Sequence, residues 1–327
     1  MTTARKIVLT EFGGPEVMTL QTVTLPAPAA DEVQVRQTAI GLNFIDLAQR
    51  RGAGYPLPLP TGLGHEAAGV VQAVGRNVGE FQVGDRVAYM NAGVGAYADA
   101  RNVAADRLVP VPAGVSDEQA AALLFKGLTA QYLLRKTHRV QPGELLLVHA
   151  AAGGVGQILC QWGKGLGATV VGTASSAEKC AQARAAGADV ALDYTQPDWP
   201  EAFLQATGGC KARVVYDSVG RDTFLKSMDC TAPFGLVVLY GAASGPAPAI
   251  EPELLNKKGC LFLTRPSVFP HNADAAVMRE NAAELFQAVA SGWVQANIGA
   301  RFALADVAAA HQAVQSRATQ GSVVILP

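Results

Sequence analysis

Charge is scarce in this sequence. Only 16% of its 327 residues are Asp, Glu, Lys or Arg, against about 25% in ordinary globular chains, so disorder and charged tails are excluded as its theme. The charges also cancel. Lys plus Arg number 26 and Asp plus Glu 27, a net charge of -1, which leaves no field to draw in a polyanion and disfavours nucleic acid as a partner. Long apolar runs are missing as well: no stretch reaches the ~18 apolar residues that a bilayer span requires. After Arg5 and Lys6 the first apolar run, Ile7 to Leu9, ends at Thr10 and Glu11, too short for a secretory leader, so the cytosol is the expected location. The cysteines, Cys160, Cys180, Cys210, Cys230 and Cys260, are odd in number and far apart. With no close pair to open a zinc ribbon and no disulfide framework, they read as buried or idle thiols.

What is present is apolar bulk. Half the residues are hydrophobic, and the length is roughly twice the ~100–150 residues of a typical domain, which implies two joined domains with a sizeable core. From Leu145 to Ser267 a beat recurs: a short apolar run, a turn, a helix-like stretch. The runs are Leu145 to Val148, Thr169 to Gly172, Val190 to Leu192, Val214 to Tyr216, Leu236 to Tyr240 and Leu261 to Leu263. Intervals of about 20 to 25 residues fit a crossover helix with its two loops, so the pattern predicts a six-stranded, doubly wound parallel sheet.

Before this region the texture changes. Alternating segments such as Glu32 to Arg36 and Ala67 to Val74, with turn signals at Gly13-Gly14-Pro15, Pro56 to Pro60 and Gly84-Asp85, predict an irregular, mostly antiparallel β domain. A helix-like stretch from Asp306 to Ser316 precedes a last strand, Ser322 to Leu326. A lone strand after the sixth parallel one is expected to return to the first domain's sheet. The nucleotide domain would then be an insertion, residues 125–267, within a first domain of residues 1–124 and 268–327.

The strand ending at His149 is followed by Ala150-Ala151-Ala152-Gly153-Gly154-Val155-Gly156 and a helix-like run from Gln157 to Leu166. This is a dinucleotide fingerprint with Ala151 in place of its first glycine. Gly153 lets the backbone approach a pyrophosphate, Gly156 lets the helix pack on the strand, and the helix N-terminus stabilises the negative charge. An acid gripping a ribose 2′-hydroxyl is expected about 20 residues on. Ser175 stands there instead, followed by Ser176 and Lys179. Hydroxyls and an ammonium suit a 2′-phosphate, and no carboxylate repels one, so NADPH is expected over NADH. Ser175 or Ser176 would also cap the helix beginning at Ala177.

Motifs along nearly the whole chain carry a resemblance: Gly13 to Val17, Asn43-Phe44-Ile45-Asp46, Gly64-His65-Glu66-Ala67-Ala68-Gly69, Lys126-Gly127-Leu128-Thr129-Ala130, Ala150 to Gly156, Val215 to Gly220, Thr264 to Ser267 and Ser316 to Ser322. The sequence resembles the zinc-independent NADPH:quinone oxidoreductases related to zeta-crystallin, within the medium-chain dehydrogenase/reductase superfamily. The resemblance implies a GroES-like catalytic domain joined to a Rossmann domain. In the superfamily's zinc enzymes a Cys, a His and a second Cys hold the catalytic metal; the matching positions here are Asn43, His65 and Lys126. A lone imidazole beside an ammonium makes no closed zinc site, so no metal is expected and His65 reads as a hydrogen-bonded core or pocket histidine.

The same resemblance implies that Asn43, Phe44, Ile45, Asp46 and Ala48 lie beside the nicotinamide, with Thr129 and Tyr132 on the helix approaching the cofactor. Gly154 and Val155 would contact the pyrophosphate, and Tyr194 would join Ser175, Ser176 and Lys179 at the adenosine phosphate. Ser218, Val219, Gly241, Ala242, Ala243, Ser244, Arg265, Pro266, Ser267 and Arg317 would complete the groove. Ala48 stands where some relatives carry a tyrosine, which leaves Tyr55 as the available aromatic wall. Negative charge developing on a quinone oxygen could be met by Asn43, Tyr55 or Lys126, although Lys126 could equally be held in an ion pair with Asp46. Alternatives stay open: an NADPH-dependent reductase of 2-alkenals or enones, or a non-enzymatic nucleotide-binding protein of crystallin or RNA-binding type. An apolar edge strand at Cys260 to Thr264, together with the resemblance, implies a homodimer.

Overall fold

A computed structural model of the chain describes residues 2–316 and 319–327; Arg317 lies outside them. The chain divides into two compact units, one comprising the residues up to Leu128 with His271–Phe286 and Ala296–Pro327, the other Thr129–Pro270 with Gln287–Gln295. Among the described residues no helix is long and apolar enough to cross a membrane.

The first unit opens with an antiparallel pair, β1 (Thr2–Leu9) and β2 (Met18–Leu25). Its main sheet begins with β3 (Glu32–Leu42), after which come helix α1 (Phe44–Arg50), β4 (Glu66–Val74), β5 (Arg86–Met90), β6 (Ala100–Ala104), β7 (Leu108–Pro110) and helix α2 (Asp117–Tyr132). β3 pairs antiparallel with both β4 and β6, and its ladder with β4 slips at Gln34/Val35 and Gln37/Ala39. Such bulges bend and twist a strand. The curved sheet encloses Val33, Val35, Ile40, Leu42, Val71, Val87, Tyr89 and Leu108, all buried.

The second unit alternates strand and helix: β8 (Leu145–Val148), α3 (Gly154–Gly165), β9 (Thr169–Ala174), α4 (Ala177–Ala185), β10 (Val190–Asp193), α5 (Trp199–Ala206), β11 (Ala212–Asp217) and α6 (Phe224–Asp229). β12 (Thr231–Leu239), α7 (Glu253–Lys257) and β13 (Phe262–Thr264) complete it. The strand order is β10-β9-β8-β11-β12-β13, every pair parallel. This is the doubly wound sheet that the apolar runs predicted, with its switch point between β8 and β11, where ligands bind in such sheets. Leu146, Leu147 and Val148 are fully buried because helices cover both faces.

The chain then continues through α8 (Val268–His271), α9 (Ala275–Ala290), β14 (Ile298–Ala303), α10 (Val307–Gln315) and β15 (Ser322–Leu326). As the lone terminal strand required, β15 joins the first unit's sheet, between β14 (parallel) and β3 (antiparallel). The units nonetheless divide differently from residues 125–267 and their complement. Phe125–Leu128 belong to the first unit, where Gly127 meets Leu285 so closely that a Cβ would lie 2.4 Å from a leucine methyl. Gln287–Gln295 belong to the second. There Trp293 covers Gly165, and the Gln295 N–H donates to Gln161 Oε1 at 3.1 Å.

Candidate functional site

In the first unit the chemistry gathers where β3 turns into α1. Asn43 caps the helix, and its backbone N–H donates to Asp46 Oδ2 at 2.9 Å, one half of a capping box. The helical period turns Asp46, Leu47, Gln49 and Arg50 inward and leaves Phe44, 51% exposed, with half-buried Ile45 and Ala48 on the outer face.

Glu66 is the hub. It opens β4 opposite Gly41 and is fully buried. A Cβ on Gly41 would stand 2.2 Å from Glu66 Oε1, so only glycine admits the carboxylate there. Glu66 Oε1 accepts from Asn43 Nδ2 at 2.7 Å and from Lys126 Nζ at 3.5 Å, while Oε2 accepts from the Phe125 N–H at 2.6 Å. Lys126 also donates to Leu42 O at 3.2 Å. These two bonds leave one N–H of the ammonium without an acceptor among the described residues. The ion pair thus differs from the Lys126–Asp46 pair considered from the sequence: the carboxylate on the ammonium is that of Glu66, because the β3–β4 register brings it across Gly41. Burial pushes the Glu66 carboxyl up, and the Lys126 charge opposes this.

Asp46 heads a second buried chain. Tyr97 OH donates to its Oδ2 at 2.9 Å and stands 3.0 Å from His311 Nε2; His311 Nδ1 is 3.3 Å from Arg50 Nη1, and Arg50 Nη2 donates to Gln315 Oε1 at 2.9 Å. Burial pushes Asp46 up to about 7 and His311 down to about 3. His65, lowered to about 4 by burial, hydrogen-bonds Gln49 Oε1 through Nε2 at 2.9 Å, so it is a hydrogen-bonded core histidine. Among the described residues no group of three or more His, Cys, Asp or Glu could hold a metal ion. Tyr55 stands on the exposed loop after α1, with 53% of its surface free.

In the second unit the loop after β8 turns sharply. Ala150 takes a left-handed φ of 49°, and the Gly153 N–H returns to Ala150 O at 2.8 Å. The helix then starts at Gly154, three residues before the predicted Gln157. Gly153 is exposed, and Gly154 and Val155 half-exposed, at the N-terminus of a 12-residue helix whose first N–H groups have no partner within it. A Cβ on Gly156 would sit 2.2 Å from Ala150 O, so the close helix-to-strand approach needs glycine. A glycine turn leading into such helix N–H groups is the geometry that a diphosphate-binding loop requires.

At the end of β9, Ser176 caps α4 through the Lys179 N–H at 3.3 Å, and the Tyr194 N–H donates to Ala174 O at 3.0 Å. Ser175, Ser176, Lys179 and Tyr194 are thereby gathered at neighbouring strand ends. Asp193 on the adjoining strand turns its carboxylate onto Thr195, with bonds of 2.9 and 2.7 Å. The turns after β11 and β12 interlock: the Ala243 N–H donates to Ser218 O at 3.0 Å and the Ser244 N–H to Val219 O at 2.9 Å. Gly241 is required there, since its Cβ would lie 2.5 Å from Ser218 O, and exposed Ala242 tips the second turn. Arg265 is exposed after β13, with half-buried Pro266 and Ser267 behind it. Thr129 and Tyr132 are buried on α2.

Residues not singled out from the sequence prove central: Glu66, Tyr97 and His311 in one unit, and His149, Asp217 and Ser227 in the other. The available signal was a polar side chain alone inside an apolar run, as in Glu66-Ala67-Ala68 or Val214-Val215-Tyr216-Asp217.

Residues 29–113 match the alcohol dehydrogenase GroES-like domain family and residues 154–283 the zinc-binding dehydrogenase family. A quinone oxidoreductase of Pseudomonas aeruginosa is 47% identical over 99% of this chain and 100% of its own length. A 2-haloacrylate reductase of a Burkholderia species is 41% identical over 98% of each chain. The crystal structure of Escherichia coli quinone oxidoreductase complexed with NADPH superposes with a TM-score of 0.95, at 45% identity and full coverage of both chains. With this fold, this glycine turn and these full-length likenesses, the chain belongs to the quinone oxidoreductase family of the medium-chain dehydrogenase/reductases.

Proposed function

We propose that the chain reduces quinones with NADPH by a hydride transfer that needs no metal. Support for the cofactor comes from the cradle at Gly153–Gly156, from Ser175, Ser176, Lys179 and Tyr194 at the β9 and β10 ends, and from the NADPH complex of the E. coli relative. NADPH, when bound, supplies the hydride. The observation that carries the metal-free reading is the Lys126 ammonium, held by Glu66 and Leu42 O at a position matching a zinc-binding cysteine of the superfamily. A positive charge already fixed there opposes a bound cation.

Lys126 also has work to do. As a quinone accepts hydride, negative charge builds on its oxygen, and the N–H of Lys126 left over from Glu66 and Leu42 is the donor to meet it. Asn43, whose amide is anchored on Glu66, fixes the wall beside it. Tyr55 on its exposed loop supplies an aromatic wall for the substrate, and the second proton comes from solvent. The protein's task is to orient the reactants and exclude water.

A second reading has an observation of its own: the 41% identity to a 2-haloacrylate reductase favours activated double bonds as further substrates. The proposal includes a homodimer through the edge strand β13, where Phe262 is 61% exposed, with Leu263 and nearby Phe234 also bare. It also includes a cytosolic location, in keeping with five free thiols.

The test is NADPH oxidation by chelator-treated protein with a small quinone, run beside NADH and a 2-alkenal. Turnover with quinone and NADPH is expected, undiminished by the chelator. Activity lost to the chelator and restored by zinc would overturn the metal-free reading, and turnover with the alkenal alone would move the substrate to the second one.

A further inference from the structure

Asp217 ends β11 with its carboxylate fully buried, and none of the described side chains that hydrogen-bond it is a Lys or Arg. Neutral donors surround it instead. Oδ1 accepts from the Val219 N–H at 2.8 Å, the Gly220 N–H at 3.0 Å and Thr223 Oγ1 at 2.9 Å; Oδ2 accepts from Thr223 Oγ1 at 2.8 Å and Ser227 Oγ at 3.0 Å. Ser227 Oγ lies 2.9 Å from His149 Nε2, and His149 Nδ1 lies 2.7 Å from Thr173 Oγ1. His149, Thr173, Thr223 and Ser227 are buried as well.

The order that satisfies every contact to Asp217 is Thr173 O–H to His149 Nδ1, His149 Nε2–H to Ser227 Oγ, and Ser227 O–H to Asp217 Oδ2, with Thr223 O a second acceptor 3.0 Å from Ser227 Oγ. This fixes a neutral imidazole with its proton on Nε2. Burial holds His149 in that form by lowering its pKa, against the pull of the Asp217 charge.

Each link borders a loop of the nucleotide site. His149 immediately precedes the diphosphate loop, whose Ala151 N–H donates to Thr173 O at 2.9 Å. Thr173 lies two residues before Ser175. Asp217 shapes the Ser218–Gly220 turn, which in turn holds Ala243 and Ser244. A buried anion satisfied only by neutral groups is a poor way to gain stability, yet here it fixes the spacing of three loops that must meet one ligand.

We infer that Asp217, acting through Ser227 and His149, is the positioning residue of the nucleotide site, setting the distance between the loops after β8, β9 and β11. The inference rests on the NADPH reading of that site.

The experiment uses the full chain and Ser227→Ala, which cuts the spine without touching the Val219–Gly220 turn. Thr173→Val serves as a second cut, and Asp217→Asn, which keeps an acceptor oxygen, is set against Asp217→Ala. NADPH affinity is read from nicotinamide fluorescence, the steady-state constants from turnover, and the His149 tautomer from 15N shifts. For Ser227→Ala and Thr173→Val the NADPH Kd and KM are expected to rise about tenfold, the effect of one lost buried hydrogen bond. At saturating NADPH, kcat and the quinone KM should stay within about twofold. Asp217→Asn should be affected less than Asp217→Ala. Unaltered NADPH affinity in both folded spine variants, or a wild-type imidazole protonated on Nδ1, would overturn the inference alone. Failure of the unaltered chain to bind NADPH would overturn the cofactor reading, and the inference with it.

Discussion

Replacing Lys126 by methionine tests the buried charge pair at its weakest point. The Glu66 side chain is 0% exposed and that of Lys126 10%, with 3.5 Å between the charged atoms. At that separation an effective dielectric of about 20 gives roughly 5 kcal/mol of attraction, and removal of one partner from a buried pair costs about 3–5 kcal/mol. The loss should depend on pH in a definite direction. Burial already raises the Glu66 carboxyl above its ordinary 4.5, and Lys126 is the largest opposing influence, so without the ammonium the folded-state value climbs further. A raised folded-state value gives stability that is present below the unfolded value and lost as pH rises through the folded one, about 1.4 kcal/mol per pH unit in between. Lys126→Met should therefore be well tolerated near pH 5 and strongly destabilised near pH 8. Adding Glu66→Gln should remove the pH dependence and recover most of the loss. Urea unfolding of the full chain at the two pH values reads this out. An equal loss at both, or one below about 1 kcal/mol at pH 8, would refute the claim that Lys126 neutralises Glu66.

Lys179→Ala is expected to raise the KM for NADPH much more than that for NADH, because only the former has a 2′-phosphate to lose; equal effects in steady-state assays would remove Lys179 from the site. Gly156→Ala puts a methyl 2.2 Å from Ala150 O and 2.8 Å from Ala151 Cα, both backbone atoms, so the loop must move. NADPH affinity, measured by fluorescence, should fall at least about tenfold, equivalent to about 1.4 kcal/mol, and unchanged binding would contradict the cradle. His65 and His311, lowered to about 4 and about 3, contribute stability that is present above 6.5 and lost as pH falls through those values, while Asp46, raised to about 7, acts in the opposite sense between about 4 and 7. Asp46→Asn should thus steepen the loss of stability between pH 6 and pH 4.5 by about 1.4 kcal/mol per pH unit, and parallel unfolding slopes for the two proteins would exclude a neutral Asp46.

The parallel sheet was legible because strands buried on both faces are nearly pure apolar runs, and Leu145–Val148 shows this residue for residue. β14 was not: Ile298-Gly-Ala-Arg-Phe-Ala has little β-branched content, and it is a strand because β15 pairs with it. The glycine cradle and the serine cap of α4 could be read locally, since their geometry is set by near neighbours. The Glu66–Lys126 contact could not. It joins residues far apart in sequence through a strand register, and a charge lone in an apolar segment announces a partner without naming it. The same holds for Trp293, whose seat on Gly165 draws Gln287–Gln295 into the second unit.

Synthesis from the first residue onward gives the position of β15 a temporal meaning. The ribosome adds about 5–20 residues per second and domains close as their parts emerge. Apart from Gln287–Gln295, the second unit is one continuous stretch and can assemble while β15 is still unmade. The first unit cannot: Val323, Val324 and Ile325 lie against Leu42, Gly41 and Ile40, the residues that lead directly into Asn43. A nascent chain can therefore form the glycine turn after β8 before the strand that braces the Asn43 turn exists, so the parts of the first unit must wait for the last residues of the chain.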